Sequence, residues 1–303
     1  MPICYNVQHS LKGEAMSPLA IVTDSIASLS REQIEQYGIR IVPIKILFGD
    51  RTYRNGIDLS TAEAYQLLDK APELFTTSPS SPSDYAAIFR KLAAEKKDIL
   101  CISVSSRLST AFNMAKVAKE QIQQEYSQAQ IEVIDSYSAV SGQGFVVMAA
   151  ARLAAQGKGL AEVARVARLI KERVQVFFVF ETIRHAYRTG RIPEAASRIG
   201  SMLGVKPIVN IVDGRVKFIG VSHSKQGGVN RIIKIMRQQV GTKPVHIAVM
   251  HADVPTEGVE LKERVAAEFN CAELFISEFS PIIGYATGRG VLGLAFYTAP
   301  AES

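Results

Sequence analysis

A short apolar run that passes directly into a helical pattern is the feature that most constrains the fold of this chain. Residues 99–104 are apolar except for Ser103 and rich in β-branched side chains, as expected of a strand buried on both faces. From Leu108 onward the apolar residues recur at helical spacing. Loops between a parallel strand and a helix N-terminus commonly bind ligands, and the helix dipole favours an anion there. Ser105, Ser106 and Ser109 lie in this loop, where they either cap the helix or bind a ligand.

The same alternation of strand and helix extends over the first half of the chain. Strand patterns lie at residues 19–25, 39–48, 99–104 and 130–136, with helical patterns between and after them. Pro43 predicts an edge or a bend in the second of these strands. The segment TTSPSSPS at residues 76–83 predicts a rigid non-helical turn, because it holds two prolines and many hydroxyl side chains. The order β-α-β-β-α-α-β-α-β-α is typical of a mostly parallel sheet covered by helices.

The second half of the chain predicts a further α/β unit. It contains a buried strand at residues 174–181, a β-hairpin at 206–222 that turns at Asp213-Gly214, and a glycine-rich turn before a final strand within 280–297. A chain of 303 residues is also more than twice as long as the commonest domain. We therefore expect an α/β protein with three parts, which are a loosely ordered leader at 1–18, an N-terminal α/β domain with a mostly parallel sheet at 19–172, and a smaller C-terminal α/β domain at 173–303.

Composition excludes several classes of protein. An apolar fraction of 47% with 21% charged residues is typical of a globular chain. The longest apolar runs are far shorter than the roughly 18 residues that span a bilayer, and residues 1–17 lack the pattern of a secretory signal peptide. The three cysteines, Cys4, Cys101 and Cys271, are far apart and form no CxxC pair. Their spacing argues against a disulfide framework or a zinc site and indicates a reducing cytoplasm.

The net charge of +6 is modest and fits an ordinary solubilising surface. It is also compatible with an anionic ligand or with transient contact with an anionic membrane surface. Because there is no basic stripe with interleaved aromatic residues, we expect no nucleic-acid partner.

Familiar nucleotide-binding and catalytic motifs do not account for the chain. Residues 288–293 match GxGxxG, but the pattern that follows is a strand, whereas a dinucleotide fingerprint opens a helix. The GxxxxGK[ST] and GxSxG motifs are absent. His246 and His251 stand five residues apart in one strand pattern, so their side chains face opposite ways and cannot share a metal ion. We therefore expect neither a metal nor a cofactor.

Three loops with uncharged polar residues remain, which are Thr76-Thr77-Ser78, the serines Ser105, Ser106 and Ser109, and Gly284-Tyr285-Ala286-Thr287-Gly288. The first two flank one predicted helix, so they can converge. Hydroxyl and backbone N–H groups can hold a carboxylate or a phosphate without a formal counter-charge. The surrounding chain is rich in Ile, Val, Leu and Phe. A neutral polar cup above apolar elements suits an amphiphile with an acidic head, which is our hypothesis for the ligand.

Several blocks of sequence, taken in order, resemble the DegV family. They span nearly the whole chain from about Leu19 and are specific only as a set. The blocks are IVTDS (21–25), FGDRTYRNGIDLS (48–60), TTSPSSPSDY (76–85), SVSSRLSTAFNMA (103–115), VIDSYSA (133–139), RTGRI (188–192) and IIGYATGRGVLGLAF (282–296).

The resemblance implies a two-domain α/β fold with a long-chain fatty acid buried between the domains. DegV-like proteins serve as the fatty-acid-binding subunit of a bacterial fatty acid kinase, so the implied role is non-catalytic. The chain would present the carboxylate to a separate ATP-binding kinase subunit and carry the resulting acyl phosphate. The implied ligand-binding residues are Thr77 and Ser78, a serine of the next loop (Ser105 or Ser106) and an arginine (Arg188 or Arg191). From the uncharged polar loops described above, we add Ser109, Gly284, Thr287 and Gly288 as candidate ligand-binding residues.

Two departures from the family pattern bear on the kinase role more than on lipid binding. Where the family usually has GTHTGPG, this chain reads GYATGRG, so Ala286 occupies the histidine position and a donor is lost. Where the family usually has TSQPS, this chain has Pro79-Ser80 after Thr77-Ser78. Arg289 could supply a compensating charge, or Tyr285 a hydroxyl.

An alternative from a different class is an enzyme that acts on a small phosphorylated or carboxylated metabolite at the same anion-binding cup. Such an enzyme needs a titratable base near the loops. Asp24 and Asp135, each at a predicted strand end beside a serine, are the best candidates. Aspartate also caps turns, so the sequence leaves a structural role open for both residues.

Overall fold

The computed structural model describes residues 19–192 and 204–299. The predicted leader at 1–18 and most of the helical pattern beyond Ile192 lie outside the described residues. In the N-terminal half, residues 19–171, the elements in chain order are β1 (Leu19–Asp24), α1 (Arg31–Tyr37), β2 (Arg40–Val42), β3 (Lys45–Phe48), β4 (Arg51–Arg54), α2 (Thr61–Lys70), β5 (Phe75–Ser78), α3 (Pro82–Ala94), β6 (Asp98–Ser103), α4 (Ala111–Glu125), β7 (Ile131–Asp135), α5 (Val140–Ala155) and α6 (Leu160–Lys171).

The predicted α/β fold with a parallel sheet is confirmed. Four strands form one sheet in the order β2-β1-β6-β7, and every neighbouring pair is parallel. Helices α1 and α2 each begin directly after a serine, because Ser30 and Ser60 each form a capping box with the residue three positions later. Helix α4 begins at Ala111, later than the apolar spacing from Leu108 indicates. Cys101 is fully buried in β6, as its apolar surroundings predict.

A second, antiparallel sheet, β4-β3-β5, corrects two expectations. Pro43 divides the predicted strand at 39–48 into β2 and β3, which belong to different sheets. The hydroxyl-rich segment that was expected to be only a turn begins as a strand, because β5 pairs with β3 along its whole length. Its threonines are β-branched and favour extended backbone. The turn itself is confined to the residues after Ser78, where Ser81 caps α3.

The C-terminal half, which starts at residue 175, contains β8 (Gln175–Val179), α7 (Arg184–Arg188), β9 (Lys206–Val212), β10 (Arg215–Ser222), α8 (Lys225–Val240), β11 (Val245–His251), α9 (Pro255–Glu268), β12 (Cys271–Glu278), α10 (Pro281–Thr287) and β13 (Leu292–Thr298). Its six strands form a single sheet in the order β10-β9-β8-β13-β11-β12, in which only β11 and β12 are parallel neighbours. The predicted hairpin is present as β9 and β10. Asp213 and Gly214 both have positive φ, as a tight hairpin turn requires.

The segment predicted as a glycine-rich turn before the last strand is instead largely helical. Helix α10 occupies Pro281–Thr287 and ends at Gly288, whose φ of 84° is favourable only for glycine. Pro281 stands at the first helical position, where its fixed φ and missing N–H are compatible with a helix. The two glycines at 284 and 288 concealed this helix, because glycine has a low intrinsic helix propensity.

The halves share one hydrophobic core. A continuous cluster of buried side chains includes Leu100 and Phe145 from the N-terminal half together with Phe178, Phe279 and Tyr297 from the C-terminal half. Helix α5 is buried along most of its length, which agrees with its run of small and apolar residues. Two further clusters, one under each principal sheet, complete the core. The interface between the halves is therefore apolar and extensive, and a cavity lies within it.

Candidate ligand cavity between the two halves

An apolar cavity opens between the parallel sheet, the small sheet and the C-terminal half. It encloses about 930 Å³, including its mouth. The described lining residues are Ile26, Ile44, Thr77, Pro79, Val104, Leu108, Ser109, Ala139, Val140, Phe178, Phe180, Ala186, Arg191, Ile192, Ile211, Val216, Phe279, Ile282, Ile283, Tyr285, Ala286 and Thr287. None of these residues is acidic, and polar side chains contribute at only five positions.

Strand alternation in β5 decides which hydroxyl of the Thr-Ser pair reaches the cavity. Phe75 is buried and Thr77 and Pro79 line the cavity, so alternate residues face inward. Ser78 points to the other face, where its hydroxyl donates to the Pro79 carbonyl at 3.3 Å. Ser80 is fully buried and donates to the carbonyl of Pro43 at 2.7 Å, which fixes the turn against the β2–β3 bend. The cavity therefore receives Thr77 and not Ser78.

The serine loop after β6 contributes one of its three predicted hydroxyls to the cavity. Ser109 lines it, and its Oγ accepts the N–H of Ala111 at 3.2 Å, which leaves its own proton available for a ligand. Ser105 is buried and donates to the Gly214 carbonyl at 2.8 Å, so it docks the β9–β10 hairpin. The backbone N–H of Ser106 donates to the Asp135 carboxylate. Capping and ligand binding are therefore compatible at Ser109.

Of the two predicted arginines, Arg191 lines the cavity and Arg188 does not. The guanidinium of Arg188 lies instead over the ring of Tyr285, 5.4 Å from its centroid. His185 lies on the same short helix, against Gly288. Partial burial and the nearby charge of Arg188 lower the pKa of His185, which favours its neutral form.

Helix α10 forms one wall of the cavity with its inward face. Ile283, Tyr285, Ala286 and Thr287 all line the cavity, whereas the predicted glycines serve packing. At Gly284, a Cβ atom would lie 2.5 Å from the ring of Tyr65. The hydroxyl of Thr287 is within hydrogen-bond distance of the Ile283 carbonyl at 2.9 Å, so it serves a ligand best as an acceptor.

The aromatic walls of the cavity were not predicted. Phe178 and Phe180 extend from β8 and its end, and Phe279 follows β12. A signal was present in the sequence, because alternate residues of a strand share a face and the VFFVF run is apolar on both faces. Phe177 and Val179 pack on the opposite side of the sheet, in a separate core cluster.

The two carboxylates considered for an enzyme are engaged in the fold. Asp24 is fully buried and accepts hydrogen bonds from the backbone N–H of Val104 at 2.8 Å and from Ser103 at 3.0 Å. Burial raises its pKa, although these hydrogen bonds act in the opposite direction. Asp135 accepts N–H groups from Ser106 and Tyr137. Neither residue lines the cavity.

A second, more polar cleft lies on the other side of the 3-10 turn at Ser25–Ala27. It encloses about 1510 Å³ of largely open space between that turn, α1 and the edge strand β12. Its lining includes Asp24, Asn55, Ser277 and Glu278. Burial, and secondarily Asp253, raise the pKa of Glu278.

Comparison with known proteins places these features in a family. The family model described as "Uncharacterised protein, DegV family" matches residues 18–299. The chain belongs to the DegV family. It is 31% identical over 278 residues to a DegV domain-containing protein of Streptomyces coelicolor, a match that covers 91% of this chain and 97% of the relative.

Solved structures of DegV proteins have the same fold. The Bacillus subtilis protein DegV, described as a fatty acid binding protein, superposes with a TM-score of 0.84 at 27% identity, covering 94% of this chain and 100% of that one. A protein from Eubacterium ventriosum, described as binding stearic acid, superposes with a TM-score of 0.85 at 25% identity, covering 92% and 98% of the two chains. The recognition of the family from its sequence blocks is thus confirmed.

Two other features are absent from the part of the chain that the structure describes. Over residues 19–192 and 204–299, His, Cys, Asp and Glu side chains nowhere gather in threes that could hold a metal ion. Among the helices that the structure describes, none combines the length and the apolar character needed to cross a bilayer.

Proposed function

We propose that this DegV protein is a non-catalytic lipid-binding protein that holds one long-chain fatty acid in the cavity between its halves. The observation that carries the proposal is the lining of that cavity, which is almost wholly apolar and contains no carboxylate among its described residues. Burial of each methylene group of an acyl chain contributes about 0.8 kcal/mol. The names of the B. subtilis and E. ventriosum proteins support the same ligand class.

The carboxylate would be held by the few polar groups of the lining. We propose Thr77 and Ser109 as hydroxyl donors and Arg191 as the counter-charge, because these three side chains line the same cavity from different elements. A charged hydrogen bond of the kind that Arg191 can donate contributes about 1.5–3 kcal/mol. Thr287 would lie at the edge of this group, because its hydroxyl donates to the Ile283 carbonyl, and Tyr285 offers a phenolic hydroxyl.

The other implied ligand-binding residues would act indirectly. We propose that Ser78, Ser105 and Ser106 shape the loops, as their hydrogen bonds to backbone and carboxylate groups favour. Gly284 and Gly288 would permit the close packing of α10. Substitution of these residues should therefore alter the loops or the packing of α10 without removing a direct contact to the ligand.

Native mass spectrometry of the purified protein tests the lipid-binding proposal. We expect a mass increment of one long-chain fatty acid per chain, which organic extraction releases and identifies. Protein stripped of lipid should bind added stearate with the same stoichiometry. A protein that is purified empty and also fails to bind added stearate would contradict the proposal.

We further propose that the chain presents its bound fatty acid to a separate ATP-binding kinase subunit and carries the acyl phosphate. The resemblance of the sequence blocks around the candidate ligand-binding residues to those of the family supports this role. Because Ala286 replaces the family's histidine, we expect a lower rate of acyl phosphate formation. Incubation with ATP, stearate and the fatty acid kinase subunit of the same organism should yield acyl phosphate. No product with that subunit, while a relative carrying GTHTGPG gives product, would limit the chain to lipid binding.

Transient contact with an anionic membrane surface is part of the same proposal. Arg184, Arg188 and Arg191 lie on or next to α7, beside the cavity, and form no ion pair with a carboxylate of the described residues. Cations that form no ion pair with the described carboxylates favour anionic lipid headgroups, and Arg184 and Arg188 are not needed for the proposed head-group site. Sedimentation with phosphatidylglycerol vesicles at low salt should exceed that with phosphatidylcholine vesicles, and equal sedimentation would contradict the contact.

We also propose a cytoplasmic location and a domain boundary near residues 172 and 173. The boundary is supported by the segregation of the strands, since every strand of the parallel sheet precedes it and every strand of the six-stranded sheet follows it.

A further inference from the structure

A charged cluster on the outer side of α10 has no part in the cavity lining. Its centre is Arg289, which lies in the turn between α10 and β13. The guanidinium forms ion pairs with Asp69 of α2 and with Asp253 of the β11–α9 loop. It also lies over the ring of Tyr65, 5.1 Å from the centroid, in a cation–π arrangement. One side chain thus contacts both halves of the protein.

The turn that carries Arg289 is held firmly within the C-terminal half. Gly288 and Gly290 have φ values of 84° and 80°, which disfavour other residues at both positions. The N–H of Gly290 donates to the carbonyl of Ala252 at 2.8 Å. Since Asp253 follows directly, Arg289 and Asp253 form one structural unit. Of the two ion pairs that Arg289 forms, the pair with Asp69 therefore joins the two halves and the pair with Asp253 does not.

Tyr65 links this cluster to the wall of the cavity. Its side chain is buried, and its ring occupies the space that a Cβ at Gly284 would need. Its hydroxyl donates to the carbonyl of Phe279 at 3.3 Å. Phe279 lines the cavity, and so does the inward face of α10. The outer face of the same helix is thus covered by Tyr65, with Arg289 over the ring.

We propose that Arg289 is a positioning residue that latches α2 of the N-terminal half to the α10 wall and thereby sets the rate at which a fatty acid enters and leaves the cavity. This inference rests on the proposed lipid-binding function. A ligand held between the two halves enters and leaves faster when a wall of the cavity can move. The pairs are partly exposed, so added salt weakens them.

The two aspartates provide a matched pair of variants. Asp69→Asn removes the ion pair that joins the halves, whereas Asp253→Asn removes one that lies within the C-terminal half. In stopped-flow measurements with a fluorescent long-chain fatty acid, D69N should raise both the association and the dissociation rate constants on the order of fivefold, as expected for the loss of one part-exposed ion pair. D253N should change them little, and the equilibrium Kd of both variants should stay near that of the wild type.

Salt supplies an independent check on the same latch. Raising the NaCl concentration should accelerate exchange in the wild type and have little further effect in D69N. Equal rates in D69N, D253N and the wild type would overturn the latch. So would a D69N effect confined to dissociation, because that result indicates lost ligand affinity rather than a wall that opens more often.

Hydrogen–deuterium exchange of the ligand-free chain separates this inference from the proposed function. D69N should increase the amide exchange of residues 281–287, and D253N should not. If the wild type binds no fatty acid but shows this difference, the proposed function fails while the latch stands. If it binds fatty acid and the amides of the two variants exchange alike, the latch fails alone.

Discussion

The cavity and the neighbouring polar cleft are lined by residues of the same short segments, yet their linings are opposite in character. Ile26 of the 3-10 turn lines the cavity, while Ser25 before it lines the cleft. Phe279 likewise faces the cavity, while Glu278 and Ser280 on either side of it face the cleft. Neighbouring residues on the same short segments therefore line two different spaces, one apolar and one polar.

The polar groups of the two spaces are used differently. In the cleft, the hydroxyl of Ser277 donates to the Ser28 carbonyl at 3.1 Å, and Asp24 binds backbone groups, so polar atoms join one element to another. In the cavity, Thr77 and Ser109 retain hydroxyl protons that a ligand could receive. The cleft is thus a polar junction between elements, and the cavity suits an amphiphile. Four predictions test this distinction.

Filling the cavity should have the largest effect. Ala286→Phe places a phenyl ring among the lining side chains, which would overlap an acyl chain. We expect stearate affinity to fall at least about 100-fold, or roughly 2.7 kcal/mol. The matched variant in the cleft is Ile57→Phe, at a residue that is 57% exposed. Titration calorimetry should give wild-type affinity for I57F, and an equal loss in both variants would erase the distinction.

Removing the charge near the proposed head group should have the next largest effect. Arg191→Gln should weaken stearate binding about 10- to 100-fold, because a charged hydrogen bond to the carboxylate is worth roughly 1.5–3 kcal/mol. Arg184→Gln removes a neighbouring charge that does not line the cavity, so its affinity should stay within about twofold of the wild type. Similar losses in the two variants would indicate a general electrostatic effect and no specific contact.

Adjacent hydroxyls on opposite faces of β5 offer a finer comparison. Thr77→Val keeps the shape of the side chain and removes one neutral hydrogen bond, which is worth about 1 kcal/mol, or roughly fivefold in Kd. Ser78→Ala should leave the Kd unchanged, since its side chain faces away from the cavity. If S78A weakens binding as much as T77V, the strand does not separate the two residues as we infer.

The buried carboxylate of the cleft should affect stability more than binding. Because burial raises the folded-state pKa of Asp24 above its unfolded value, the folded chain holds this proton more tightly. Deprotonation of the Asp24 carboxyl therefore lowers the free energy of unfolding as the pH rises from the unfolded-state pKa through the folded-state pKa. Asp24→Asn has no such proton, so its free energy of unfolding relative to the wild type should rise with pH, by at most about 1.4 kcal/mol per pH unit. Denaturant titrations between pH 4 and about 8 measure this difference, and a constant or falling difference would contradict it.

The regular elements of the fold were accessible from local sequence. The parallel sheet followed from alternating strand and helix patterns, and Ser30 and Ser60 marked helix starts, because capping depends on residues only a few positions apart. Family blocks then located the segments that surround the cavity. Thr77, Ser109, Arg191 and Thr287 from those segments line it together.

The finer assignment depended on contacts that local sequence does not encode. Ser105 bonds to Gly214, which is 109 residues away in the chain, so its hydroxyl could not be distinguished from that of Ser109 by spacing alone. Thr77 and Ser78 were separated only by the pairing of β5 with β3. Helix α10 formed against local preference, since packing on α2 and α7 outweighs the low helix propensity of Gly284.

A crystal structure of the protein as purified tests the central claim most directly. We expect elongated density in the cavity, with one end within hydrogen-bond distance of Thr77, Ser109 and Arg191. The rest of the density should run along Phe178, Phe180 and Phe279. Density in the polar cleft beside Asp24, or a cavity that holds only ordered water after crystals are soaked with stearate, would contradict it.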